Sequence, residues 1–195
     1  LYDLIGIDLM ADVLKSFIKE LSKEDEFQIV AKDIPLIPKL IEKGYTGRKG
    51  KGGFYRINKD NNQKILEAIN LETEQYSPSK KIDLGIDTVN LKNLINRDDK
   101  YGKYAWSVIS KIIKYASSLV PGITDKFNDI DEAMRLGFNW AMGPFEMLRS
   151  IGVNEFFNRI DSFEGNKFLE NLSKNKDENF YGERQIYTDI QTLAK

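Results

Sequence analysis

The stretch from Ile130 to Gly152, IDEAMRLGFNWAMGPFEMLRSIG, carries the fold in its spacing. Ile130, Ala133, Met134, Gly137 and Phe138 recur at i, i+3, i+4, i+7 and i+8, one face of a helix turned toward a core. Asp129 is the expected cap of that helix. Gly143 and Pro144 then start a second helix, with Pro at the first helical position, where it has no amide bond to lose. Gly152 is the expected stop, and Asn154 the cap of a third helix. The segment reads as two helices joined at a tight Gly–Pro corner.

Its tail recurs at the start of the chain. A shift of 146 positions lays Leu1, Tyr2, Ile5, Gly6, Ile7 and Asp8 on Met147, Leu148, Ile151, Gly152, Val153 and Asn154, each pair keeping its role. Helix, glycine, apolar residue and cap is a common grammar, so two unrelated corners are one reading. Duplication of a helical module is the sharper one, and it makes the first copy truncated before Leu1.

Between these echoes, Met10, Val13, Leu14, Phe17, Ile18 and Leu21 predict a helix from Asp8, its expected cap, to Leu21. A shorter helix is expected over Pro35–Lys43, stopped by Gly44. Five glycines between Gly44 and Gly53 then forbid a helix, and Phe54–Ile57 is strand-like. KILEAINLETEQY (64–76) fits a helix, or two strands about a turn at Glu72–Thr73. Ile65, Ile69 and Tyr76 favour the strands, hence a minor β element near 54–76. Residues 77–102 read as a connector with one short helix at 89–96. Ala105, Val108, Ile109, Ile112, Ala116 and Leu119 mark a long helix ended by Val120–Pro121–Gly122. The expected organisation is a first helical domain at 1–76, a connector at 77–102 and a second helical domain at 103–195.

Composition excludes more than it selects. The 195 residues are 41% apolar, enough to fill one core or two small ones. A net charge of -1 gives no general attraction for nucleic acid. The chain has neither Cys nor His. Disulfides, thiolate metal sites and Ser–His or Cys–His catalysis are therefore excluded within it, leaving carboxylates, Lys and Tyr for any chemistry. No apolar run approaches the roughly 20 residues of a membrane span, and the acidic, amphipathic start does not resemble a signal peptide.

The motifs assemble no active site by themselves. TGRKGKGGF (46–54) offers Arg48, Lys49 and Lys51 among glycine amides. It lacks the Ser or Thr of a phosphate loop and leads into Phe54–Tyr55 rather than a helix, so it fits neither nucleotide fingerprint. A structural turn is the favoured reading, and contact with a phosphate-bearing ligand the second. Asp129, Asp131 and Glu132 complement a helix dipole, as does Glu146 after Pro144. Asp83 and Asp87 belong to the connector, and Asp98 and Asp99 are expected in solvent. Trp106, Phe138, Trp140, Phe145, Phe156 and Phe157 are read as core.

Ile130, Asp131, Ala133, Met134, Gly137, Gly143, Pro144, Phe145, Glu146, Ile151 and Gly152 closely resemble a signature of the L-3-hydroxyacyl-coenzyme A dehydrogenases. That signature runs I-D-x-A-M-x-x-G-x-x-x-x-G-P-F-E-L-x-D-x-I-G in their C-terminal helical domain. LYDLIGID looks like its end, with Gly6 at the closing glycine. KGYTGRKGKGGFYRI is similar to the family's G-[RK]-K-[TS]-G-x-G-F-Y segment, with Gly50 where the family has Thr or Ser. INLETEQYSPSKK, DDKYGKYAW, LVPGITDKFNDID and the terminal NFYGERQIYTDI resemble members with two consecutive helical domains, so the likeness spans nearly the whole chain.

The resemblance implies a mainly α fold, of the type shared by the C-terminal domains of 3-hydroxyacyl-CoA and 6-phosphogluconate dehydrogenases. It implies a parent enzyme of fatty-acid β-oxidation whose NAD, catalytic His–Glu pair and glycine-rich loop belong to an N-terminal Rossmann domain. Catalytic, cofactor and metal residues are therefore expected outside this chain, and the chain alone is expected to be inactive. Tyr104–Ala105–Trp106–Ser107 stands where the family carries an Asn–Arg pair, so the second copy reads as non-catalytic. Asp131, Gly137, Gly143, Pro144, Phe145, Glu146, Gly152 and Gly6 are the structural motif residues, with Arg48, Lys49 and Lys51 as candidate contacts to coenzyme A phosphates. The implied partners are the Rossmann domain, acyl-CoA and an enoyl-CoA hydratase domain. The helical domains would close the acyl-CoA cleft and form a dimer-like interface, in the cytoplasm of a bacterium or the mitochondrial matrix or peroxisome of a eukaryote. A stand-alone helical interaction module and the helical domain of another NAD(P)-dependent hydroxy-acid dehydrogenase are the alternatives.

Overall fold

A computed structural model of the chain describes residues 1–32, 34–60, 63–85, 90–175 and 180–181. Asp87 and most of the terminal NFYGERQIYTDI stretch lie outside the described residues. The fold is mainly α with one small antiparallel sheet, and it divides into two units, Leu1–Asp83 and Leu84–Lys195.

In the first unit, α1 (Tyr2–Ile5) and α2 (Ile7–Glu20) meet at Gly6, followed by α3 (Phe27–Val30) and α4 (Leu36–Glu42). Three strands, β1 (Tyr55–Asp60), β2 (Gln63–Ile69) and β3 (Tyr76–Pro78), pair in the order β1-β2-β3. The strand-prone residues thus prevail over the helical reading of 64–76. Ile7, Leu36, Ile37, Leu40 and Ile69 form its buried core.

The second unit holds α5 (Leu91–Ile95), α6 (Lys100–Ser118), α7 (Phe127–Phe138), α8 (Pro144–Ile151), α9 (Val153–Arg159) and α10 (Lys167–Asn175). Its core is built on Ile95, Ile113, Leu148, Ile151, Val153, Phe156 and Leu169, each at most 1% exposed. Leu91 and Ile95 pack in that core, so the short helix expected in a connector is part of the second unit.

Several local expectations are corrected. Gly6, not Asp8, stands at the N-cap of α2, and Gly152, not Asn154, at that of α9. Lys126 precedes α7, while Asp129 lies in its first turn and accepts the Thr124 hydroxyl at 3.0 Å. Asp99 is no idle surface charge: it caps α6 through the amides of Tyr101 and Gly102 and pairs with Arg97 at 2.6 Å. Phe138 is 66% exposed rather than core. Ala133 and Gly137 lie opposite the buried Asp131, on the solvent side of α7, whereas Phe138, on the face of Asp131, is the last residue of the helix, where the chain leaves through Asn139 in a left-handed conformation.

Gly6 and Gly152 share one geometry. Their φ values are 121° and 99°, their amides close α1 and α8 on Tyr2 and Leu148, and their carbonyls open the next helix. The residues that follow, Ile7 and Val153, are both 0% exposed. A side chain at such φ is strained by roughly 1–3 kcal/mol. Gly6→Ala and Gly152→Ala are each expected to lower the stability of their own unit by about that amount. Hydrogen exchange read unit by unit checks this, with the other unit's rates unchanged.

Candidate functional site

Asp131 sits on α7 with 0% exposure, yet its carboxylate serves a different helix. Its Oδ1 accepts the Phe145 amide at 2.9 Å and its Oδ2 the Glu146 amide at 3.0 Å. Those amides belong to the first turn of α8 and have no carbonyl partner within the helix. The Tyr181 hydroxyl donates to Oδ2 at 2.8 Å. A Cβ on Gly143 would overlap this carboxylate, so the glycine is needed for the approach. Pro144 starts α8 without an amide to satisfy.

Glu146 completes the corner. Its Oε2 accepts the Gly143 amide at 2.9 Å, and its Oε1 accepts from Arg135 at 2.8 Å. The two side chains of this pair are 8% and 16% exposed. Burial lifts the Asp131 carboxyl above the usual carboxylate range, with nearby Glu146 adding to it, against the pull of the three hydrogen bonds. Burial also raises the Tyr181 phenol, and its bond to Asp131 raises it further. The corner thus spends its polar groups on holding α7 against α8. It presents no His or Cys nucleophile–base arrangement, and no metal-ligating cluster occurs among the described residues.

The glycine-rich loop of the first unit is organised in the same way, by a carboxylate. Asp3 accepts the amides of Phe54 and Tyr55 at 2.9 and 2.7 Å, and a Cβ on Gly53 would overlap it. The amides of Gly47, Arg48, Gly50, Lys51 and Gly53 all donate to protein carbonyls. Those five are committed within the fold and are not gathered about an anion. Lys49 pairs with Asp8 at 2.7 Å, and Lys51 donates to the Lys43 carbonyl at 3.1 Å. Arg48 is exposed beside the loop. Lys49 is thus turned to Asp8, while Arg48 and Lys51 line one cleft beside the loop.

Residues 104–177 match the family described as 3-hydroxyacyl-CoA dehydrogenase, C-terminal domain. The Asp131–Gly143–Glu146 corner lies wholly inside that match. Residues 104–177 form a 3-hydroxyacyl-CoA dehydrogenase C-terminal domain. The chain is 37% identical over its whole length to a putative fatty acid oxidation complex trifunctional enzyme of Rickettsia felis, covering 28% of that protein. It is 39% identical over 82% of its length to the like-named protein of Rickettsia prowazekii, covering 22% of it. A probable 3-hydroxyacyl-CoA dehydrogenase of Bacillus subtilis is 28% identical over 92% of the chain, with 23% of that protein covered. The chain spans about a quarter of the length of these relatives. No solved structure matches it.

Within the dehydrogenase C-terminal domain, sequence reasoning located Asp131, Gly143, Pro144, Phe145 and Glu146 but not the bonds among them. Gly137 is placed in open space, with nothing near its Cβ position. Arg135 was missed although its spacing from Asp131 puts both on one helix face. Tyr181 carries no local signal at all, because its partner is 50 residues away.

Asp131→Ala strands two amides and a hydroxyl and is expected to destabilise the second unit by about 2–4 kcal/mol in urea unfolding. Acid behaviour separates two carboxylates. The Arg97 hydrogen bond, then helix amides, hold Asp99 at about 2 against an ordinary 3.8. Its stabilising effect is complete above the ordinary value and lost as pH falls toward 2. Asp131, whose carboxyl is raised, acts in the opposite sense: its effect is present below the ordinary value and lost as pH rises through the raised one. Asp99→Asn is expected to flatten the acid limb of the urea midpoint below 3.8, which a pH series measures.

Proposed function

We propose that this chain is the C-terminal helical part of an NAD-dependent L-3-hydroxyacyl-CoA dehydrogenase of fatty-acid β-oxidation. The enzyme would interconvert L-3-hydroxyacyl-CoA and 3-ketoacyl-CoA in the bacterial cytoplasm. The observation that carries this reading is the Asp131–Gly143–Glu146 corner inside the matched domain. The relatives' names support a place in fatty acid oxidation and further domains in the parent protein, and the enoyl-CoA hydratase domain rests on the family resemblance alone. No helix among the described residues is long and apolar enough to cross a membrane.

The chain contributes shape rather than chemistry. Without His it cannot supply the family's general base, and NAD would be bound by a Rossmann domain. Its part is to hold apolar helices against the acyl-CoA cleft. The exposed Ala133 and Gly137, four residues apart on one face of α7, support a closely packed, dimer-like interface, since small residues let another backbone approach. The shared geometry of Gly6 and Gly152 supports two copies of one helical module.

NADH oxidation with acetoacetyl-CoA tests the assignment. The chain alone is expected to give none, and adding the family's NAD-binding domain to give turnover. Gly137→Arg, which has room for its side chain, is expected to abolish the restored rate without unfolding the second unit. Steady turnover by the chain alone, or none in the mixture, contradicts the proposal.

A further inference from the structure

The charge of α6 is one-sided. The helix carries Lys100, Lys103, Lys111 and Lys114 and no carboxylate, in a chain whose net charge is -1. At about 3.6 residues per turn these four, with Ser107 and Ser110, fall within roughly a third of the helix circumference. Lys103 is met by Asp98 at 3.5 Å. Lys111 is exposed and has no ion-pair partner among the described residues.

The C-terminal half of this stripe lines a cleft of ≈ 410 Å³, together with Arg159 and the loop that follows α9. Lys111, Lys114 and Arg159 are set there against one carboxylate, that of the exposed Asp161. Arg159 is a fixed cation. Its guanidinium lies 4.2 Å from the Trp106 ring centroid and donates to the Asn96 side chain at 2.6 Å and the Ile95 carbonyl at 3.1 Å. Those partners are neutral, and the Glu155 carboxylate stands at 3.8 Å, beyond hydrogen-bond reach. The charge is positioned without being cancelled.

The serines of α6 divide in the same way. Ser117 and Ser118 return their hydroxyls to the carbonyls of Ile113 and Tyr115. Ser107 and Ser110 make no such bond among the described residues, and both line the cleft. Ser162, across from them in the loop, accepts the Glu164 amide at 3.4 Å and keeps its own proton to donate. Ammonium and hydroxyl donors gathered in this number suit an anion with several oxygens about one centre better than a carboxylate, which has two. The volume lies in the range of small-molecule sites, so more than a bare ion fits.

We propose that the cleft between α6 and the loop after α9 binds the phosphate of a small phosphate ester. Lys111, Lys114 and the Ser107 and Ser110 hydroxyls meet its oxygens, and Arg159 supplies a fixed positive field beside them. This does not depend on the dehydrogenase reading.

The probe is inorganic pyrophosphate, titrated against the full chain at about 0.15 M ionic strength and read by tryptophan emission and phosphorus NMR line width. Saturable binding is expected, tighter than that of malonate at the same ionic strength. Lys111→Glu is expected to weaken it about tenfold, and Asp161→Asn to tighten it about threefold. Lys100→Glu with Lys103→Glu, on the same stripe but outside the cleft, is expected to change affinity less than about twofold. The rise from Lys103 to Lys111, roughly 12 Å, exceeds the screening length of about 8 Å. No saturable binding, equal binding of malonate, equal loss in the two charge-reversed proteins, or no tightening in Asp161→Asn overturns the proposal. Vesicles distinguish the source of the phosphate. Displacement of pyrophosphate by phosphatidic acid vesicles alone upholds the site with its ester on a lipid, and no displacement by vesicles upholds it for a soluble ester. Displacement by phosphatidylglycerol vesicles as well would reduce the cleft to a cationic surface and overturn it.

Discussion

A single buried carboxylate holds the second unit in its arrangement. Asp131 takes two first-turn amides of α8 that would otherwise be buried without partners. Burying an ionised group is costly, and the raised Asp131 carboxyl records that cost. The hydrogen bonds oppose it, so the carboxylate acts as a positional device more than a source of net stability. Each neighbour follows from it: Gly143 because a Cβ would collide, Pro144 because its position needs no amide, Glu146 because the Gly143 amide and Arg135 need an acceptor.

The first unit repeats the device with other parts. Asp3 holds two consecutive amides at Phe54 and Tyr55 and packs against Gly53 as Asp131 packs against Gly143. In both units a carboxylate on one helix fixes where a distant segment begins. This explains how a loop with five glycines is ordered: much of its amide capacity is used internally, and Lys49 ties it to Asp8.

Short-range relations were legible in the sequence and long-range ones were not. The Gly–Pro corner, the stops at Gly6, Gly44 and Gly152, and the small sheet follow from backbone preferences of residues close in sequence. Phe138 was misplaced because apolar spacing alone put it inward, while it stands at the last position of α7 and is exposed there. α10 escaped notice because Phe168, Leu169 and Leu172 are a thin apolar stripe in a charged segment. Of the loop cations, nothing local announces that Lys49 finds Asp8, 41 positions away.

The most direct measurement is native-state hydrogen exchange at the amides of Phe145 and Glu146. If Asp131 holds the corner, both exchange only with unfolding of the core around Ile113 and Leu148, as slowly as amides in the middle of α6. Exchange as fast as that of solvent-exposed first-turn amides would show the carboxylate bonds to be incidental and contradict the account.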